Sequence, residues 1–212
     1  MKIRSLSELN EFLNNELSWR KKELTAIALV LNSLRDHEQR ALLRAAICLL
    51  YAHWEGFIRD AATCYITYVD SKRLSYSKLS PNFIALGFRR QIKESGMSNS
   101  PLLHVKLVDL FISGLGSRAN LSMKNAINTY SNLNFEIFEE ILSIVGLDRT
   151  VYESQKVLID ERLLKNRNEI AHGRYLEIDE DQYRELYTRI IDIINLFRDE
   201  LENSAALKAY MR

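Results

Sequence analysis

The chain has 212 residues, 29 basic and 28 acidic side chains, and only seven glycines and two prolines. That length lets one domain bury a core without a disulfide or metal staple, and the near-balanced charge excludes a global field drawing it onto nucleic acid or an acidic membrane. Any polyanion site must be local, and the scarcity of chain breakers favours long helices over a glycine-rich or all-β architecture.

Ser5 and Glu8 have capping-box spacing, and Leu24, Ile27, Leu31 and Leu34 continue a three-four rhythm, so an amphipathic helix is expected over 6–35. Asp36 reads as the next cap. From about 37 to 69, "RALLRAAICLLYAHWEGFIRDAATCYITYV" is apolar around much of its circumference, as expected of a central helix surrounded by others. Its most hydrophobic run, 41–58, is interrupted by Arg44, His53 and Glu55, and the N-terminus MKIRSLSELNEF lacks a signal-peptide core, so no membrane span is expected. Cys48 and Cys64 lie in this apolar pattern as small buried hydrophobes, which fits a reducing, cytoplasmic setting.

Residues 70–121 carry turn chemistry in "SKRLSYSKLSP", "ESGMSNSP" and "ISGLGSRANLS". Short helices are expected near 81–94, 101–112, 122–130 and 134–145, with Gly146 stopping the last. A helix over 152–171 takes its apolar positions from Val157, Leu158, Leu163, Leu164 and Ile170 and ends before Gly173. Asp179 and Gln182 then cap a final helix over about 180–207. It buries Tyr183, Leu186, Ile190, Ile193, Ile194, Phe197 and Leu201 on one stripe. The fold class expected is all-α: one domain over 1–212, a bundle of long antiparallel helices with shorter helices inserted at 70–150.

The stretch "RLLKNRNEIAHGRY" carries the chemistry. Asn168 lies four residues before His172 and shares its helix face, whereas Arg167 lies five before it, about 140° around the axis. Such a pair converges better on something bound across the helix end or across an interface. Histidine can exchange a proton near neutrality, arginine offers phosphate a planar fork that stays charged, and Asn168 can fix the imidazole tautomer. With RNA as substrate the 2′-hydroxyl is an internal nucleophile, so no metal or cofactor is required, and the products are a 2′,3′-cyclic phosphate and a 5′-hydroxyl. One histidine serves as base or acid, and a two-fold homodimer would supply the other. The bland reading makes Arg167 a surface ion pair and His172 a helix C-terminus.

"KNRNEIAHG" resembles the Arg-x4-6-His signature of the HEPN superfamily, including the polar residue directly after the arginine, and "LLYAHWEGFIRDAATCYITYV" resembles an early helix of a prokaryotic nuclease-like branch found near toxin–antitoxin and defence genes. The resemblance covers the second helix and the last third of the chain; residues 70–150 carry none. It implies a helical bundle that dimerises to form a composite, metal-independent endoribonuclease cleft, with Arg167, Asn168 and His172 on the motif positions. Such an enzyme acts as a toxin or defence effector, with RNA as substrate and a cognate antitoxin protein as a partner. Many HEPN domains lack nuclease activity and serve as dimerisation, nucleotide-binding or RNA-binding modules, which is the alternative. Some HEPN toxins carry a tyrosine two residues beyond the motif histidine that a nucleotidyltransferase modifies; here Tyr175 lies three beyond.

Glu55, in an apolar helix, needs a partner, and either orients Arg167 or His172 or forms a purely structural ion pair. Gly56 allows close helix approach, His53 reads as a satisfied structural histidine, and Tyr51 and Trp54 as core. Basic residues at Lys72, Arg73 and Lys78, and at Arg89, Arg90 and Lys93, could track an RNA backbone or be ordinary solvated faces. No HExxH or paired CxxC spacing suggests a metal, and no glycine pattern suggests a P-loop or dinucleotide site.

Overall fold

A computed structural model describes residues 3–31, 33–121 and 126–212. It is all-α: among the described residues no strand forms, and the only β pairing is two isolated bridges, Ser75 to Arg118 and Leu79 to Met211. Helices α1 (Leu6–Leu31), α2 (Asp36–Ser71) and α8 (Glu180–Ala206) pack against one another as the core of the bundle. Arg20 reaches Asp60 and His53 faces Glu23, so α1 runs antiparallel to α2. Gln39 bonds Glu180 near the start of both α2 and α8, and Tyr68 meets Tyr210 near their ends, so those two run parallel.

The caps follow local chemistry. Ser5 and Glu8 exchange side-chain bonds with each other's N–H groups, at 3.1 and 3.0 Å, starting α1. Asp179 accepts from the Gln182 N–H at 2.7 Å, starting α8. The second cap is one residue earlier than expected. Arg35 takes the cap position, with its N–H bonded to Glu38, and Asp36 is the first helical residue, where its charge favours the N-terminal dipole.

Helix α2 has 36 residues, about 54 Å of rise. An 18-residue window within it has mean hydropathy 1.3, enough by length and composition to cross a bilayer, but 56% of that window is buried inside the bundle. Its apolarity is used in packing, with Trp54, Phe57 and Tyr65 among the most fully buried side chains. The expected stripe of α8 is buried in full, from Tyr183 to Leu201.

The middle third departs further from expectation. The helix expected over 81–94 is two, α3 (Pro81–Gly87) and α4 (Arg89–Gly96), with Phe88 at the junction turned into the core. Next come α5 (Pro101–Gly114) and α6 (Phe135–Val145). Asn134 caps α6 and Gly146 ends it at φ 79°, the left-handed stop its sequence promised. The helix expected over 122–130 is not there: residues 122–125 lie outside the described set, and 126–130 form bends and a turn. Asn128 accepts from the Tyr130 N–H, and Tyr130 and Ser131 both take positive φ, so local side-chain bonding has displaced helix.

The segment before the motif is also not one α-helix. Residues Arg149–Gln155 form a 3-10 turn and Leu158–Leu164 a π-helix, which passes into α7 (Lys165–Ala171). The apolar residues explain the widened turn. Leu158 and Leu163, and Ile159 and Leu164, are five apart, a spacing that i→i+5 bonding aligns and an α-helix would splay by about 140°. All four are buried, and the Lys165 N–H closes on the Asp160 carbonyl, five residues back. Val157, expected to face inward, is instead 66% exposed, because the change of helix type turns it outward.

Candidate functional site

Arg167 follows Leu163 by four and Leu164 by three, so once α-helical geometry resumes at Lys165 it shares their inward face. Its guanidinium carbon lies 3.9 Å from the centroid of the Tyr51 ring on α2. Nη2 donates to the Ser131 carbonyl at 3.0 Å, and Nε is buried without a hydrogen-bond partner. Among the described residues Arg167 makes no ion pair; the surface salt bridge of the bland reading does not form.

Tyr51 is 4% exposed and is more than core. Its hydroxyl accepts from the Leu133 N–H at 2.6 Å, which leaves its own proton to face Glu55. Burial first, and then the Glu55 carboxylate beside it, push the phenol up to about 12, with Arg167 acting the other way. The ring therefore stays neutral at physiological pH. Glu55 also accepts from the Thr129 hydroxyl. Among the described residues Glu55 thus bonds neither motif side chain; Tyr51 stands between it and Arg167.

The loop at 126–134 supplies three of these contacts, through Thr129, Ser131 and Leu133. Ser131, whose carbonyl holds the guanidinium, is left-handed, as is Tyr130 before it. On α2 the participating residues are Arg44, Cys48, Tyr51 and Glu55, spaced four, three and four, a single stripe facing α7. Cys48 lies within the field of both Arg167 and Arg44, but burial outweighs them and raises its thiol pKa, so it stays a thiol.

His172 caps the C-terminus of α7, and its N–H bonds the Asn168 carbonyl at 3.0 Å. The imidazole is exposed, and no described residue bonds it. Asn168, half-buried, has no side-chain hydrogen bond among the described residues, so the tautomer-fixing contact is not made here. Gly173, at φ 76°, ends the helix: its N–H bonds Ile170 and the Arg174 N–H bonds Glu169. The chain then returns over α2, where Arg44 donates to the Arg174 carbonyl at 2.9 Å and lies 5.6 Å from the Tyr175 ring.

Residues 15–203, from within α1 to near the end of α8, match the family model RiboL-PSP-HEPN. The chain belongs to the RiboL-PSP-HEPN family. No curated protein and no solved structure matches it. Membership covers the short-helix region at 70–150, where the sequence carried no resemblance, and it places the protein among HEPN domains, a group with nuclease and RNA-binding functions.

In this HEPN chain the expected basic residues are spread over the end of α2 and over α4. Lys72 donates to the Arg4 carbonyl at 2.7 Å and sits 3.8 Å from the Tyr68 ring, 21 positions beyond Tyr51, or about 31 Å along α2. Arg73 follows it at positive φ. Arg89 donates to the Ala126 carbonyl at 3.1 Å and borders a cavity of about 400 Å³ shared with Asn82, Leu86 and Ile144, none of them from α2 or α7. Arg90 pairs with Glu94 at 2.9 Å, and Lys93 is exposed nearby on α4. Among the described residues no three His, Cys, Asp or Glu side chains group as a metal site.

Sequence reasoning missed Tyr51, the Arg44 stripe and the 126–134 loop. The signal available was the four-three-four spacing of Arg44, Cys48, Tyr51 and Glu55, hidden because Tyr51 and Cys48 look like core residues in an apolar helix.

Proposed function

We propose that this RiboL-PSP-HEPN protein is a metal-independent endoribonuclease whose site is completed by a second copy of the chain. The observation that carries this reading is the way Arg167 is held. Its guanidinium rests on a neutral aromatic ring and a backbone carbonyl, so the positive charge is fixed in place and, among the described residues, not paired with a carboxylate. Charge placed in advance where a phosphorane would develop is the largest electrostatic aid such a reaction can receive.

In this reading His172, exposed and unbonded, exchanges the proton. It takes the 2′-hydroxyl proton as that oxygen attacks phosphorus, and the symmetry-related His172 gives a proton to the departing 5′-oxygen. The P–O5′ bond breaks as the P–O2′ bond forms, leaving a cyclic phosphate. Arg167 stabilises the equatorial oxygens and Asn168 orients the imidazole once RNA is bound. Within one chain Arg167 turns inward on α2 while His172 faces solvent at the helix end, which fits a site assembled between two copies. A role as a toxin or defence effector in the cytoplasm, restrained by an antitoxin protein, extends the same reading.

The test is cleavage of mixed RNA in excess chelator by wild type and His172→Ala. We expect the variant to lose about 10²- to 10⁴-fold in rate while its sedimentation stays that of a dimer. Equal RNA patterns from the two proteins remove the enzyme and leave a non-catalytic RNA-binding module, the alternative the same family supports.

A further inference from the structure

Tyr175 is a large aromatic side chain 71% exposed to solvent, three residues past His172, on a segment fixed at several points. Gly173 reverses the chain through two backbone bonds. Arg174 makes two bonds to the Glu169 carboxylate, at 2.8 and 3.0 Å, which ties the returning segment to α7. Arg44 bonds the Arg174 carbonyl and sets its guanidinium 5.6 Å from the Tyr175 ring, so one side of the ring is backed by a cation. An exposed aromatic normally loses rotamer freedom when it binds; here part of that ordering is already done.

We propose that Tyr175 is a nucleobase-stacking platform that seats one base of a single-stranded RNA beside the Arg167 and His172 site. The proposal rests on the reading that this end of α7 receives RNA. Three residues span at most about 11 Å of chain, which keeps the platform next to the imidazole. A stacked base fits the rest of the surface: the chain has almost no net charge, and of the cations beside α7 Arg162, Lys165 and Arg174 are each paired with a carboxylate, so phosphate contacts alone would hold RNA weakly. Stacking is tolerant of base identity and supplies affinity without a basic patch. Arg44 is a positioning residue in this arrangement, holding the ring at a fixed angle and polarising it.

The experiment uses the full chain and a short 2′-O-methyl single strand, which the 2′-hydroxyl route cannot cleave, with affinity read by fluorescence anisotropy. Tyr175→Ala should weaken binding by about tenfold or more, while Tyr175→Phe should stay within about twofold. A scan of single abasic positions should find one at which wild type and Tyr175→Ala bind alike, because the base that stacks is gone. Equal affinity of wild type and Tyr175→Ala for the intact strand overturns the proposal, as does a loss that persists on every abasic strand. Absence of any binding by wild type overturns it too. An RNA cleavage assay beside it separates the two claims. Cleavage without Tyr175-dependent binding sinks the platform and leaves the nuclease; Tyr175-dependent binding without cleavage does the reverse.

Discussion

Of the arginines in this bundle whose guanidinium groups lie on aromatic rings, Arg20 and Arg167 differ in the rest of their surroundings. Arg20, on the α1–α2 side, sits 4.4 Å from the Trp19 ring and 5.7 Å from Phe57, and it is 4% exposed. It bonds the Glu16 carbonyl and carboxylate and lies 3.1 Å from Asp60. Its charge is met by two carboxylates. A Cβ at Gly56 would lie 3.2 Å from the Arg20 guanidinium, so the close approach read from the sequence is to this side chain. Arg167, on the α2–α7 side, has a neutral ring, a carbonyl and, among the described residues, no carboxylate partner. Both leave Nε buried and unbonded, so an unsatisfied Nε does not tell them apart. What separates them is whether the fold meets the charge with a carboxylate.

That contrast can be broken first by exchanging the losses. Arg167→Ala should lower RNA cleavage by about 10²- to 10³-fold. In urea unfolding it should cost only about 1–2 kcal/mol, the worth of one cation–π contact and one hydrogen bond. Arg20→Ala should do the opposite. It should cost about 3 kcal/mol, the low end for breaking a buried pair because Glu16 and Asp60 stay partly wet, with cleavage within tenfold where the protein is folded. Comparable stability losses with comparable cleavage would erase the distinction.

A smaller effect sharpens the role of Tyr51. Tyr51→Phe keeps the ring under Arg167 but strands the buried Leu133 N–H, which should cost about 1–3 kcal/mol. Cleavage should fall by less than about tenfold. A loss as deep as that of Arg167→Ala would mean that the phenol itself takes part in the chemistry.

The smallest effect belongs to the Arg20 side. His53 is buried with Nε2 2.8 Å from Glu23, and its ring meets Trp19 edge to face at 5.1 Å. Burial is the main cause that lowers its pKa; Glu23 opposes the shift and Arg20 adds to it. A histidine that resists protonation when folded contributes stability that is present above its unfolded value of about 6.5 and is lost as pH falls through the folded value. The wild-type melting temperature should therefore drop further between pH 7 and pH 5 than that of His53→Gln. Parallel curves would remove His53 from the acid response.

The local signals were legible without the fold. The capping residues at Ser5 and Asp179, the stops at Gly146 and Gly173, and the stripe of α8 depend on neighbours within a turn, and each is where its sequence chemistry puts it. The break at Phe88, the irregular 126–130 segment and the π-turn before the motif were not legible. Phe88 is drawn into a core made of distant residues, and the π-turn exists because four leucine and isoleucine side chains share one buried face.

The order of residues by itself determined an all-helical chain, a central apolar helix and the Arg167, Asn168, His172 set at a helix end. Tertiary structure alone decided that Arg167 turns onto Tyr51, that Glu55 bonds Thr129 and Tyr51, and that Lys72 lies far from Tyr51 at the end of α2. Periodicity and capping are set by contacts a few residues apart, whereas a side chain's charge environment is set by whichever elements pack against it, and those come from across the whole chain.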